Sequence, residues 1–596
     1  MQSNQRVLLA VLLSFLVLWG YTLLVPPPKK PAAAPGAAVA GGTAATDAAH
    51  AAATPANGQG APAAGAATQP AAATTPATPA AAATVADTAE HDVVVETKLV
   101  HAVFSNRGGV LTNWTLKKYT DQTGHSVDLV PASLPPGEAR PFSVRLGDPA
   151  RTALVNTALF QANTSGPLDA TGAPVTLTFS YEDESGFRAK KTFTIAPESY
   201  VITFSMNVVD GKNTLNPVVE WGPGLGDSTF LTNQNSRFAT YNQHSQAIVY
   251  AEGSVKRLPS LKVQQEPTWQ GDYPFAGIDD HYFIASFVRP GVARLTYRPT
   301  LVPVPATAGQ PAGERELISF DALFATPPAN VRVFLGPKDF DILKAVDGDL
   351  VRSIYYGIFS PIAVPLLHAL KWIDGFVGNF GWSIILLTIF INIAIFPLRH
   401  KSVVSMRKMQ QLQPQVKAIQ DRYAGLAMTD PKRQKLNEEL MALYKEKGVN
   451  PASGCVPMLL TMPILFAFYS MLSVSIELRG QPFALWIHDL SQHDPYYITP
   501  VLMGLSMLWQ QRMTPVADPQ QAKIMMITPI MFLFFFLWAP SGLVLYWLVS
   551  NLLGIGQQLL TNRMIGGAPA AAPRPPAERR LKQAGAGQTD SARGTR

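Results

Sequence analysis

A chain of 596 residues is too long for one domain, and with 15% charged against 47% hydrophobic residues it is not composed like a wholly soluble protein. Its one cysteine, Cys455, excludes an intrachain disulfide and any metal site assembled from cysteines. The formal net charge of +7 is modest for this length, so where the positive residues lie says more than their sum.

Residues 1–25 hold an uncharged apolar run, Val7 to Val25, preceded by Arg6. It exceeds the roughly 7–15 residues of a signal-peptide core and ends in Pro26-Pro27-Pro28, so it reads as a retained transmembrane anchor. Residues 26–92 are dominated by Ala, Pro, Thr and Gly, which bury too little apolar surface to offset chain entropy; they form a flexible linker. From 93 to 340 short runs alternate with period two. Val175, Leu177, Phe179 and Tyr181 form one such set, and Ile202, Phe204, Met206 and Val208 another. With turn residues between the runs, this region reads as a large antiparallel β-sandwich. Asp279-Asp280-His281 and Glu182-Asp183-Glu184 invite a metal or acid–base reading, but loop and strand-end charges are far more often simply solvated.

At 351–377 the period becomes helical. Ile354, Ile358, Ile362 and Leu366 share a face, Pro361 and Pro365 interrupt it, and the segment is expected to lie in a membrane interface with Trp372 as an anchor. Five apolar runs follow, Trp382 to Leu398, Val456 to Ile476, Ile498 to Gln511, Ile524 to Trp538 and Leu543 to Leu560, making six spans with the N-terminal anchor. The loop from Arg399 to Asn450 is rich in Lys and Arg, whereas the loop from Glu477 to Tyr497 contains only Arg479. The first is therefore cytoplasmic, as are both termini and the basic tail 564–596, and the sandwich lies on the other side. The outer loop offers Phe483, Trp486, Tyr496 and Tyr497 as further interface anchors, a better reading of this stretch than a metal site at His488 and His493.

Within the first of the five runs Asn392 stands one helical turn after Thr388, a narrow polar stripe on a helix otherwise suited to lipid. On this helix alone, an interhelical hydrogen bond is the better account of one such amide. The basic segment 399–450 reads as a helical hairpin. Met409, Leu412, Val416, Ile419 and Tyr423 form one seam; a second helix starts at Asp430-Pro431 and stops at Gly448. Lys432, Arg433 and Lys435 on its exterior suit ribosomal RNA or anionic lipid headgroups, although a charge run is usually only a solvated face.

The strings GNFGWSIILLTIFINIAIFPLRH, MALYKEKGVNPASGCVPMLLTMPILFAFYSML, ELRGQPFALWIHDLSQHDPYYITPVLMG and FLWAPSGLVLYWLVSNLL closely resemble the YidC family of bacterial membrane protein insertases. The resemblance is strong over 351–563 and extends in layout to the anchor, linker and outer β-domain of the Gram-negative members. It implies a polytopic inner-membrane protein whose five-helix core, 379–563, forms a hydrophilic groove for nascent membrane proteins, working alone or with the Sec translocon. No catalytic step, cofactor, metal or DNA partner is implied. The family's groove arginine aligns with Asn392. Because no Arg, Lys, Asp, Glu or His lies inside the five runs as bounded, the groove is expected to be polar but uncharged, lined by Thr388, Asn392, Thr461, Gln510, Tyr546, Trp547 and Ser550. A secondary solute transporter is the competing reading, since polar residues inside a helical bundle also mark solute paths. The missing intramembrane acid counts against it.

Overall fold

The computed structural model describes residues 82–121, 124–131, 134, 137–225, 245–304, 313–423, 432–449, 456–513 and 519–565. The expected anchor, most of the linker, Cys455, Asp430-Pro431 and all but the first two residues of the basic tail lie outside the described residues.

Period-two alternation becomes strand where it was expected. Val175–Asp183 and Val201–Asp210 flank Phe187–Ile195, and Phe193 stands opposite Leu177 on one side and Phe204 on the other. These strands belong to an eleven-stranded sheet that continues through Val331–Pro337, Phe283–Val288, Phe275–Asp279 and Gln246–Ala251 to Ser254–Leu258. A five-stranded sheet is built on the long hairpin Val292–Val304 and Gly313–Phe324, and another on Val100–Ser105 and Val110–Thr120. Pairing is antiparallel except for one short parallel contact, Val95 opposite Leu168. Alternate residues point to one face of a strand, so inward side chains of the sheets meet. Phe142, beside the second sheet, packs on Phe193, Phe204 and Trp221 with ring centroids 5.1, 4.9 and 5.3 Å away. The indole of Trp114 donates to the Leu335 carbonyl at 2.8 Å, tying the third sheet to the first.

Ten helices lie among the described residues. Two short ones, α1 (Pro149–Thr157) and α2 (Ser260–Gln265), decorate the sheets, and α3 (Phe340–Val346) leaves them, capped by the Asp339 carboxylate. The connection onward is pinned. Arg289 forks onto Asp347 and also reaches Asp349, and Arg257 donates to the Ser353 carbonyl.

Helix α4 spans Ser360–Val377. The expected stripe is corrected here. Two short 3-10 turns, Leu350–Ser353 and Gly357–Phe359, precede α4, the second opening on Gly357 at φ 66°, and Pro361 starts the helix rather than interrupting it, because a first-turn N–H would be unpaired anyway. The buried face is Ala363, Leu367, Leu370 and Ile373, while Ile358 is 85% exposed.

Helix α5 runs unbroken from Phe380 to Arg422 through Pro397 and Pro414. The membrane helix and the first arm of the basic hairpin are therefore one element, not two joined at 399. The second arm is α6 (Lys432–Glu446), held to α5 by Tyr423 Oη donating to Glu439 at 2.6 Å. Helices α7 (Val456–Val474), α8 (Ile498–Met513), α9 (Pro519–Phe536) and α10 (Ser541–Ile565) complete the bundle. Phe380–Ser405 and Ser541–Met564 are long and apolar enough to cross a membrane; Met462–Val474 and Ile527–Phe536 are shorter apolar helices.

Candidate functional site

The Asn379 side chain accepts from the Trp382 N–H and caps α5, a contact worth about 1 kcal/mol, and so fixes which residues face the bundle. Thr388 and Asn392 are buried on that face. The Thr388 hydroxyl donates to the Ile384 carbonyl at 2.6 Å, and Asn392 Nδ2 donates to the Thr388 carbonyl at 2.8 Å. The amide oxygen of Asn392 has a different partner: Arg399 Nη1 donates to it at 2.8 Å.

That contact overturns the expectation of an uncharged site. Seven residues are close to two helical turns, so Arg399 and Asn392 share a face, and helical side chains lean toward the N-terminus. Bounding the apolar run at Leu398 assigned Arg399 to the loop; its long side chain returns the guanidinium to the amide. One of its five N–H donors is used by Asn392.

The opposing wall is α10, which packs along α5 and α8. Asn551, Gly554, Gln558 and Thr561 recur at steps of three and four and are all buried, a polar stripe in an apolar helix. Asn551 Nδ2 donates to Ser506 Oγ of α8 at 3.1 Å. Gln557 Nε2 donates to the Phe396 carbonyl at 3.1 Å, and His400 Nδ1 lies 3.2 Å from Thr561 Oγ1. At Gly554 an added Cβ would sit 2.5 Å from Gln510 Nε2 and 4.0 Å from Arg399 Nη1, so the missing side chain makes room for both. Asn392, Arg399 and Gln510 thus converge where α5, α8 and α10 meet. Of these, Arg399 was missed, along with Ser506, Asn551, Gln557 and Thr561. The signal was present in the seven-residue spacing on α5 and the three-and-four spacing on α10.

Of the other expected lining residues, Tyr546 is buried, stacked on Phe468 at 4.2 Å and within electrostatic reach of Arg399. Trp547 faces α9, its ring 5.1 and 4.8 Å from Phe532 and Phe536. Ser550 is half-buried on α10, and the Thr461 side chain lies outside the described residues. Of the proposed anchors, Trp372 is 66% exposed beside Phe376, and Tyr496 and Tyr497 are exposed. Phe483 is instead a wedge: an added Cβ at Gly381 would meet its ring at 2.1 Å, and Trp382 packs on it at 5.5 Å. Trp486 is held by Asp494, which accepts its indole N–H at 3.0 Å together with the Tyr496 N–H, the Thr499 N–H and the Thr499 hydroxyl. Burial works against ionising Asp494, but these donors outweigh it and hold the carboxyl below its ordinary range.

Lys432 and Lys435 are exposed on α6, and the Arg433 side chain lies outside the described residues. The acidic motifs of the sheets have structural partners. Asp279 pairs with Lys338 at 3.1 Å, Asp280 accepts from the Tyr282 and Phe283 N–H groups, and Asp183 lies 3.5 Å from Arg151.

Two family models cover most of the chain: the YidC periplasmic domain over residues 92–369 and the 60Kd inner membrane protein over 372–568. The membrane protein insertase YidC of Geobacter metallireducens is 37% identical over 95% of this chain and 100% of its own length. The YidC insertase of Citrifermentans bemidjiense is 36% identical over 80% and 86%, and that of Oleidesulfovibrio alaskensis 34% over 93% and 98%.

Proposed function

The chain belongs to the YidC family of membrane protein insertases, and from that premise we propose that the polar seam between α5, α8 and α10 is where a client segment is received. It is an inner-membrane insertase with a periplasmic domain. The observation that carries the seam is the Arg399–Asn392 pair at 2.8 Å inside otherwise apolar helices. An unpaired polar group in hydrocarbon costs several kcal/mol, so a run of amides and hydroxyls lowers the barrier to a short polar segment leaving water. The guanidinium adds selectivity. It attracts a segment carrying Asp or Glu more strongly in a low-dielectric seam than in bulk water.

Six spans, with Val7–Val25 as the first and both termini cytoplasmic, fit this working arrangement. The basic exterior of α6, with Lys432, Arg433 and Lys435, suits a ribosome or anionic lipid, and nascent chains are passed either directly or beside the Sec translocon. The fixed cation of the seam, with no carboxylate bonded to it among the described residues, suits a polypeptide better than a proton-coupled solute.

The test is reconstitution of the full chain in liposomes with a short client bearing an acidic outer segment, and a parallel solute-uptake measurement. Insertion by the wild type and loss of the preference for acidic over neutral clients in Arg399→Ala are expected. Solute uptake without client insertion would establish the transporter reading instead.

A further inference from the structure

Beyond the last residue of α7 the chain turns through Ser475–Arg479, and several segments of the sheet domain grip that turn. His281 Nε2, from the Asp279–Phe283 hairpin, donates to the Ser473 carbonyl at 2.8 Å. The Arg479 guanidinium lies over the Tyr282 and Phe283 rings at 5.3 and 5.0 Å and donates to the Thr120 carbonyl at 3.1 Å. Between these contacts sits Glu477, its side chain 6% exposed, 3.5 Å from Lys371 Nζ of α4. The same ammonium is 3.7 Å from Asp339 and bonded to Asp341, both at the start of α3. Three carboxylates from two segments therefore share one lysine of a third, and among the described residues Glu477 Oε1 accepts no hydrogen bond.

We propose that Glu477, Lys371 and the Asp339–Asp341 turn form a proton-operated latch that fastens the sheet domain to the outer ends of α4 and α7, tightening when Glu477 takes up a proton. The cluster carries one ammonium against three acids, and Arg479 is turned to the aromatic rings and to Thr120. The remaining neighbours are the Tyr119 and Tyr356 phenols, both pushed up by burial and so neutral here. Burial first, and the Asp339 charge second, push the Glu477 carboxyl up to about 7, with Lys371 and backbone N–H groups opposing.

The sign follows from linkage. A carboxyl that binds its proton more tightly when docked than when released favours docking in acid, fully below its released value and progressively less as pH rises through about 7. Between those limits docking weakens by up to about tenfold per pH unit. On the outer side of the membrane, alkaline medium then frees the sheet domain and the end of α7, and mildly acidic medium holds them together.

The experiment uses the full chain in nanodiscs, with Cys455→Ser and spin labels at Lys190→Cys on the sheets and His488→Cys in the outer loop. Distance distributions are recorded from about pH 5.5 to about pH 9. A narrow distribution that broadens around neutrality is expected in this background. Adding Glu477→Gln, which keeps the shape and removes the titration, should leave it narrow throughout. His281, bonded to Ser473 at the same turn, is the competing titratable group. A transition with the same midpoint in Glu477→Gln would assign it to His281 and overturn the latch, as would a background distribution that does not change with pH.

Discussion

The pairing of Arg399 with Asn392 makes a charge-swap experiment informative. Asn392→Arg adds a second arginine to the face that already carries Arg399, so two guanidiniums compete for a place now held by a contact of 2.8 Å. At about 4 Å and an effective dielectric of about 20 their repulsion is about 4 kcal/mol; splaying the side chains to about 8 Å halves it. The lost charge-assisted hydrogen bond contributes about 1.5–3 kcal/mol more. Against a domain stability of about 5–15 kcal/mol, Asn392→Arg should therefore accumulate poorly or insert poorly. The double variant Asn392→Arg, Arg399→Asn has one guanidinium and one amide on the same face and should recover. Arg399→Asn alone should accumulate normally and lose the preference for acidic clients. The assay compares membrane levels and insertion of clients that differ only in outer-segment charge across the wild type and the three variants. If Asn392→Arg with Arg399 intact matched the double variant in level and client profile, the guanidinium would not occupy the place assigned to it.

Gly554→Val should displace Gln510 and Arg399 from α10 and cost about 1–3 kcal/mol by overpacking, read as a lowered thermal midpoint together with reduced insertion. Thr388→Val should change client profiles little, because the Thr388 hydroxyl is already bonded to the Ile384 carbonyl of its own helix; an altered profile would place this hydroxyl against the client. Charge reversal at Lys432, Arg433 and Lys435 should weaken ribosome or anionic-vesicle binding and flatten its dependence on salt, as measured by co-sedimentation over a salt series.

The sequence by itself determined the elements whose pattern is local. Period two at Val175–Tyr181 and Ile202–Val208 specifies half-buried strands because successive side chains take opposite faces. The polar Asn392 beside Thr388 similarly marks one face of a helix. Length, charge asymmetry and the apolar runs divide the chain into a sheet domain and a helical one before any contact is known. Tertiary structure decided the rest. Whether Pro414 ends α5 depends on what packs around it, and the helix continues to Arg422. Whether Arg399 belongs to a loop or to the seam depends on where a long side chain finds a partner, and the partner is two turns back. The amides of α10 acquired meaning only when Ser506, Gln510 and Phe396 were brought against them. The grip of the sheet domain on Ser475–Arg479 joins His281 to Ser473 and Thr120 to Arg479 across long stretches of chain. Periodicity reports the faces an element has; it is silent on which other element meets each face, because that choice is made by complementary shape and charge only after the chain has folded.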